Sequence, residues 1–309
     1  MLSIKPHVLL APFTTFKLGG PAEFFAEVTT TGELIEALEY AEKNELKTFV
    51  FSGGSNLLIN DRGVKGLVIH VANVSLRVQD RTIMTDAGAD LLTVVKTASG
   101  AGLAGMERLA GIPGSVGGAV RGNAGAFGME IKDVVKTVKF YDCKVGKLRE
   151  FNNAECQFGY RSSYFKIHPE SVILSAELEL QSGDQTELER INRDTIAKRE
   201  AKHPQSAKCA GSFFMNPIVA NRDLHVEFEK DTGLESKGDK LPAGWLIDHV
   251  GLRGKKIGGA QVSQLHPNYF VNTGSATAEN VIMLASLVKQ RVRTELGVEL
   301  REEVQLVGF

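Results

Sequence analysis

Gly100-Ala101-Gly102-Leu103-Ala104-Gly105, Gly111-Ile112-Pro113-Gly114-Ser115-Val116-Gly117-Gly118 and Asn123-Ala124-Gly125-Ala126-Phe127-Gly128 crowd together, so that ten of the chain's 32 glycines fall within residues 100–128. The first of these stretches matches the dinucleotide fingerprint Gly-x-Gly-x-x-Gly letter for letter. That fingerprint cradles a pyrophosphate only where it follows a strand and opens a helix, with an acidic residue about 20 positions further on. Here it follows Leu91, Leu92, Val94, Val95 and Ala98, an apolar stripe at helical spacing opened by Asp90, and no acid ends a second strand downstream. The order is reversed, which sets a Rossmann site aside. What remains is backbone left bare over some fifteen residues, with no helix or strand pattern of its own. Bare backbone packs against a pyrophosphate or a flat ring, or else lets a loop lie close against a helix.

Upstream lies a second glycine loop. Thr48-Phe49-Val50-Phe51 reads as a short buried strand that runs into Ser52-Gly53-Gly54-Ser55-Asn56-Leu57. Glycines at a strand end let successive N–H groups converge on an anion, and the plainer reading is a tight turn. Before it, residues 22–28 read as a strand, Thr30-Thr31-Gly32-Glu33 has capping-box spacing, and Leu34, Ile35, Leu38 and Ala41 recur at helical intervals. Residues 67–71 add a strand, completing a β-α-β unit of about 50 residues.

After the glycine-rich stretch, residues 134–141 and 172–180 read as strands, with a hairpin turn at Asp142-Cys143-Lys144-Val145-Gly146. Asp184-x-x-Glu187 opens a charged helix with Leu188, Ile191, Thr195 and Ile196 as its buried face. His203-Pro204 ends it at a domain boundary. Beyond lie a loop at 206–217, a glycine-dotted segment at 243–272, a helix at 277–296 and a final strand at 298–307. In that strand Val298, Leu300, Val304 and Leu306 share a face with Glu302, and Glu303 lies opposite.

With 309 residues, 43% of them hydrophobic, the chain buries two or three units without staples. A net charge of −1 with interleaved signs argues against nucleic acid and anionic membrane, so small-molecule chemistry is the expectation. Cys143, Cys156 and Cys209 are odd in number and widely spaced, which fits reduced thiols in a cytoplasm and supports neither a disulfide framework nor a zinc site. No signal-like start and no membrane-length apolar run is present, so an unprocessed, cytoplasmic protein is expected.

Several ordered motifs carry a resemblance that runs nearly end to end. They are Ser52-Gly53-Gly54-Ser55-Asn56-Leu57-Leu58, Ala110-Gly111-Ile112-Pro113-Gly114-Ser115-Val116-Gly117-Gly118, Phe158-Gly159-Tyr160-Arg161-Ser162-Ser163, Ala210-Gly211-Ser212-Phe213-Phe214-Met215-Asn216-Pro217, Gly259-Ala260-Gln261-Val262-Ser263 and Glu302-Glu303-Val304. In these the chain resembles the UDP-N-acetylenolpyruvoylglucosamine reductases, in their shorter form. The resemblance implies an α+β fold: a vanillyl-alcohol-oxidase-type (PCMH-type) FAD-binding fold of two subdomains, 1–75 and 76–202, and a C-terminal substrate-binding domain, 203–309. Some relatives of that flavin fold attach FAD through a histidine in the first glycine loop. This loop has none, so non-covalent FAD is implied, with NADPH as co-substrate.

The implied reaction takes hydride from NADPH to flavin N5, then to C3 of an enolpyruvyl group, with a proton delivered to C2. By resemblance the cofactor residues are Gly53, Gly54, Ser55, Asn56, Leu57, Gly111, Pro113, Gly114, Ser115, Gly118, Asn123 and Gly125. The catalytic residues are Arg161, which steadies the developing enolate, Ser212, which protonates C2, and Glu303, which polarises the substrate or acts as acid. Asn216 and His266 are substrate contacts. Met215 stands where the family often carries lysine, which puts one charge contact to a diphosphate or cofactor phosphate in question. An FAD-linked oxidase and a non-catalytic nucleotide-binding module are the alternatives; neither needs a proton donor to carbon.

Overall fold

The computed structural model describes residues 2–202, 206–236 and 238–309. The chain forms two compact units. The first takes residues up to Val8, Ala22–Gly54 and Lys65–Ala201; the second takes Leu9–Pro21, Ser55–Val64 and Lys202–Phe309. The chain therefore passes from the first unit to the second within the first glycine loop, between Gly54 and Ser55.

The first unit opens on a four-stranded sheet in the order Ile4–Leu9, Pro21–Val28, Val64–Val71, Thr48–Phe51. Thr48–Phe51 runs parallel to Val64–Val71, with Phe51 opposite His70. The β-α-β reading holds. Thr30 caps the helix Thr31–Lys43 by accepting from the Glu33 N–H at 3.1 Å, and the Glu33 carboxylate accepts from the Thr29 N–H at 2.9 Å. Leu34, Ala37, Leu38 and Ala41 are buried by it.

A second, five-stranded sheet follows in the order Lys147–Asn152, Val135–Asp142, Ser171–Glu179, Thr82–Asp86, Leu76–Gln79, antiparallel throughout. Asp90 caps the helix Leu91–Gly100 by accepting from the Thr93 N–H at 2.8 Å. Gly100 ends that helix and Gly102, at φ +67°, turns the chain into Leu103–Ala104, so the fingerprint-like stretch leaves a helix instead of opening one. The long helix is Gln185–Lys202, with Glu187 N–H on the Asp184 carboxylate at 2.9 Å. Its inner face is Leu188, Asn192 and Thr195. Asn192 reaches Ser99 Oγ at 2.8 Å, a polar contact that apolar spacing could not announce. The His203-Pro204 stop expected for this helix lies outside the described residues.

The glycine-rich stretch departs from its reading. Residues 116–122 form an α-helix, Val116–Gly122, and Gly125–Ala126 pairs with Met129–Glu130. Three glycines in seven residues give poor intrinsic helix propensity. Tertiary burial overrides it: Val116 and Val120 are wholly enclosed, and Ser115 caps the helix by accepting from the Gly118 N–H at 3.3 Å.

The second unit is built on the helices Arg222–Thr232, Ala243–His249 and Ala278–Leu296, with a three-stranded sheet of Lys256–Ile257, Ala260–Val262 and Phe270–Asn272. Phe213, Phe214 and Phe270 sit at its centre, the first and last stacked at 4.5 Å. Here the expected final strand shortens to Gln305–Val307, which pairs in parallel with Leu57–Ile59. The alternation also changes phase. Leu306 is 40% exposed and Val307 is buried, because the chain kinks after Glu303 to reach its new partner.

Candidate active site

In the first unit the two glycine loops touch. A methyl group on Gly53 would come 2.7 Å from the Gly114 Cα, closer than carbon atoms approach without displacement. Gly54 has a left-handed φ of +58° and Gly114 one of +120°. The Gly114 carbonyl accepts from the Leu91 N–H at 2.9 Å, and Gly117 N–H donates to Ala87 O at 2.8 Å, which fixes the second loop on the helix-opening segment at residues 87–91. Gly111, at φ +79°, accepts from Arg199 Nε at 3.0 Å. Ser115 is buried in its capping role, whereas Pro113 and Gly118 are exposed.

Gly118 has only the Ser115 Oγ within 4 Å of a notional Cβ, so open space lies over bare backbone there. Neither loop, 52–57 or 111–118, carries an acidic side chain to repel a pyrophosphate. Absent Cβ atoms and absent carboxylates fit the close approach of the phosphates and flat ring of FAD. Arg121, which the sequence reading passed over, lies on the helix that follows, and burial pulls its guanidinium below its ordinary value.

Arg161 also belongs to the first unit. It sits in a four-residue turn closed by the Gly159 N–H on Ser162 O at 2.9 Å and the Ser162 N–H on Gly159 O at 3.2 Å. Its φ of +53° is left-handed, unusual for a residue with a side chain. Nη2 donates to Gly125 O at 3.0 Å, and the guanidinium carbon lies 5.2 Å from the Tyr160 ring centre. Asn123, 0% exposed, donates to Gly159 O at 2.9 Å.

The second unit brings together Ser212, Glu303 and Asn56. Residues 212–215 run between two other segments: Ser212 bridges to Tyr269, Phe213 N–H donates to Asn268 O at 2.7 Å, and Met215 N–H donates to Arg301 O at 2.9 Å. Glu303 N–H donates to Phe213 O at 2.8 Å and Phe214 bridges to Glu302, so the Glu303 backbone lies opposite Phe213, the residue that follows Ser212. Asn56 Nδ2 donates to Glu303 O at 3.1 Å, so the end of the first glycine loop holds the glutamate's backbone. Leu57 is buried behind it in the parallel strand pair. Gly211, at φ +74°, turns the chain into the ladder. Ser212 is half-buried, and its hydroxyl has no hydrogen-bond partner among the described residues.

Glu302 is paired with Lys289 at 2.8 Å, a structural use of its charge. Asn216 and His266 meet at the start of the helix Ala243–His249: Asn216 Oδ1 accepts from the Ala243 N–H at 3.0 Å, and His266 Cε1 lies 3.2 Å from a notional Cβ on Gly244. His266 Nδ1 accepts from the Asn268 N–H at 3.3 Å, which leaves the neutral ring its proton on Nε2. The three cysteines are free, and burial pushes the thiols of Cys143 and Cys156 up to about 11 and about 12, which removes them as nucleophiles.

One prediction arises from the loop contact. Gly53→Ala forces two backbones apart, an overpacking cost of about 1–3 kcal/mol, so FAD affinity is expected to fall about tenfold or more. Titrating apoprotein with FAD and following flavin fluorescence checks it; unchanged affinity with unchanged melting would mean the contact is slack.

Comparison with known proteins gives a consistent family. Residues 203–307 match the model of the UDP-N-acetylenolpyruvoylglucosamine reductase C-terminal domain, and residues 22–152 match that of an FAD binding domain. The reductase of Solibacter usitatus is 38% identical over 307 residues, spanning 99% of this chain and 97% of that one. That of Carboxydothermus hydrogenoformans is 38% identical over 302 residues, covering 97% and 92%. The crystal structure of the Thermus caldophilus reductase superposes with a TM-score of 0.78 at 32% identity, covering 99% of this chain and all of that one. The fold is thus the α+β, vanillyl-alcohol-oxidase-type FAD-binding fold with a C-terminal α+β domain. No helix among the described residues is long and apolar enough to cross a membrane. Matched at both domains and along its whole length, the chain belongs to the UDP-N-acetylenolpyruvoylglucosamine reductase family.

Proposed function

We propose that this protein reduces UDP-N-acetylglucosamine enolpyruvate to UDP-N-acetylmuramate, a step of peptidoglycan precursor synthesis, at the expense of NADPH. Bound FAD supplies the hydride relay between the two substrates. The observation that carries the reading is Ser212: a hydroxyl with no hydrogen-bond partner among the described residues, in a backbone ladder where the next residue, Phe213, pairs with Glu303. Reduction of an enol ether adds hydride at C3 and a proton at C2, and only the second needs an acid from the protein.

Arg161 neutralises the charge that builds on the substrate carboxylate as hydride arrives. Ser212 then gives its proton to C2. A serine hydroxyl is a weak acid, and Glu303, paired through its backbone with the following residue Phe213, is the residue to orient the substrate or restore that proton. Asn216, whose Oδ1 is held by the Ala243 N–H, and His266 are the proposed contacts to polar groups of the nucleotide sugar. Gly53, Gly54, Gly111, Gly114 and Gly118 hold FAD non-covalently. The division into residues 1–75, 76–202 and 203–309 is retained as a functional partition. Three free thiols support a reducing, cytoplasmic setting, and the partners of this reading are the UDP-sugar and NADPH.

The test is anaerobic rapid mixing. NADPH should bleach the flavin, and colour should return only when UDP-N-acetylglucosamine enolpyruvate is added. Equal re-oxidation by dioxygen alone would favour an oxidase, and protein that takes up no FAD would leave only nucleotide binding. The two adjacent glutamates give a second test. Glu303→Gln is expected to slow re-oxidation at unchanged melting temperature. Glu302→Gln breaks a partly exposed pair with Lys289 worth about 1 kcal/mol or less and should leave turnover intact. The reverse pattern would transfer the role to Glu302.

A further inference from the structure

We propose that Asn123 is a positioning residue for Arg161, serving substrate reduction through the arginine instead of contacting the cofactor; this rests on the role given to Arg161 above. Asn123 ends the helix Val116–Gly122 with φ 44° and ψ 58°, a left-handed conformation that asparagine tolerates better than other side-chain-bearing residues. That accounts for its backbone and not for its amide. The amide is spent in full on protein: Nδ2 donates to Gly159 O at 2.9 Å and to Glu130 Oε2 at 3.0 Å, and Oδ1 accepts from the Lys132 N–H at 3.3 Å. With 0% exposure, none of it is offered to a ligand.

Gly159 is the root of the turn that carries Arg161. A left-handed arginine is strained, so the turn persists only if its surroundings over-determine it. Three contacts do so. Asn123 holds the root, Gly125, two residues on, accepts from the guanidinium at 3.0 Å, and Lys166 Nζ donates to Arg161 O at 2.8 Å. Gly125 is itself fixed, since a Cβ there would lie 2.6 Å from Met129 O. One short segment, 123–125, therefore sets both the base of the turn and the reach of the side chain.

Asn123→Gly keeps the left-handed backbone and removes only the amide. The expected result is unchanged FAD affinity and flavin spectrum, an unchanged rate of reduction by NADPH, and re-oxidation by the enolpyruvyl substrate slowed about a hundredfold, the cost of a misplaced catalytic group. Combined with Arg161→Ala it should add nothing beyond that single change, as coupled residues do. Asn123→Asp keeps the size of the side chain, and its re-oxidation should recover relative to wild type as pH falls, when a protonated carboxyl can again donate to Gly159 O. Loss of FAD, equal slowing of both half-reactions, or effects that multiply in the double variant overturn the assignment. If Arg161→Ala alone leaves re-oxidation untouched, it is the role of Arg161 that fails, and this proposal falls with it.

Discussion

Ser212→Ala is expected to leave flavin reduction by NADPH at its wild-type rate and to slow substrate-dependent re-oxidation about a thousandfold, within the range general acids contribute. The argument rests on what the hydroxyl is not doing. It makes no hydrogen bond to the protein among the described residues, and its neighbour Phe213 is held on both sides by backbone bonds to Asn268 and Glu303. Removing one oxygen from such a position leaves no buried partner unsatisfied, so the fold should survive. Stopped-flow absorbance reads the two half-reactions separately. Equal slowing of both, or none of the second, would end the proton-donor role.

Arg161→Ala should match that loss, about a thousandfold in re-oxidation, because a cation aimed at developing negative charge is worth most where water is excluded. Arg161→Lys should recover only part. The guanidinium is a rigid plane of several donors, one of which is on Gly125 O, whereas an ammonium that reached Gly125 would point its charge there. NADPH reduction is the internal control. A variant that loses both half-reactions together would show that the arginine serves the flavin.

Much of this was legible in the residues. Capping residues Thr30, Asp90 and Thr277 each stand where the structure starts a helix, and the reversed order at Gly100-x-Gly102-x-x-Gly105 ruled out a Rossmann reading that the letters invited. The helix Val116–Gly122 was hidden because its glycines mask a fold imposed by burial from outside. The helix Arg222–Thr232 was hidden for the opposite reason, burying only Leu224, His225 and Phe228. At the site, motif resemblance named Ser212 and Glu303, but the pairing of Glu303 with Phe213, next to Ser212, spans some ninety residues, which local pattern cannot carry. The split between Glu302 and Glu303 was likewise undecidable from alternation, since the phase of that segment changes where Gln305–Val307 leaves to join Leu57–Ile59.

That last pairing has a consequence for how the protein is made. Most of the first unit, residues 65–201, is one unbroken run that can condense as it leaves the ribosome. The second unit cannot, because Leu57–Ile59 waits for Gln305–Val307 and Phe213 waits for Glu303. Closing a loop of nearly 250 residues is slow for topological reasons, whatever the strength of the final contacts. Ser212 thus acquires its surroundings only after synthesis has passed residue 307, and a nascent chain stalled earlier lacks the ladder that seats this serine.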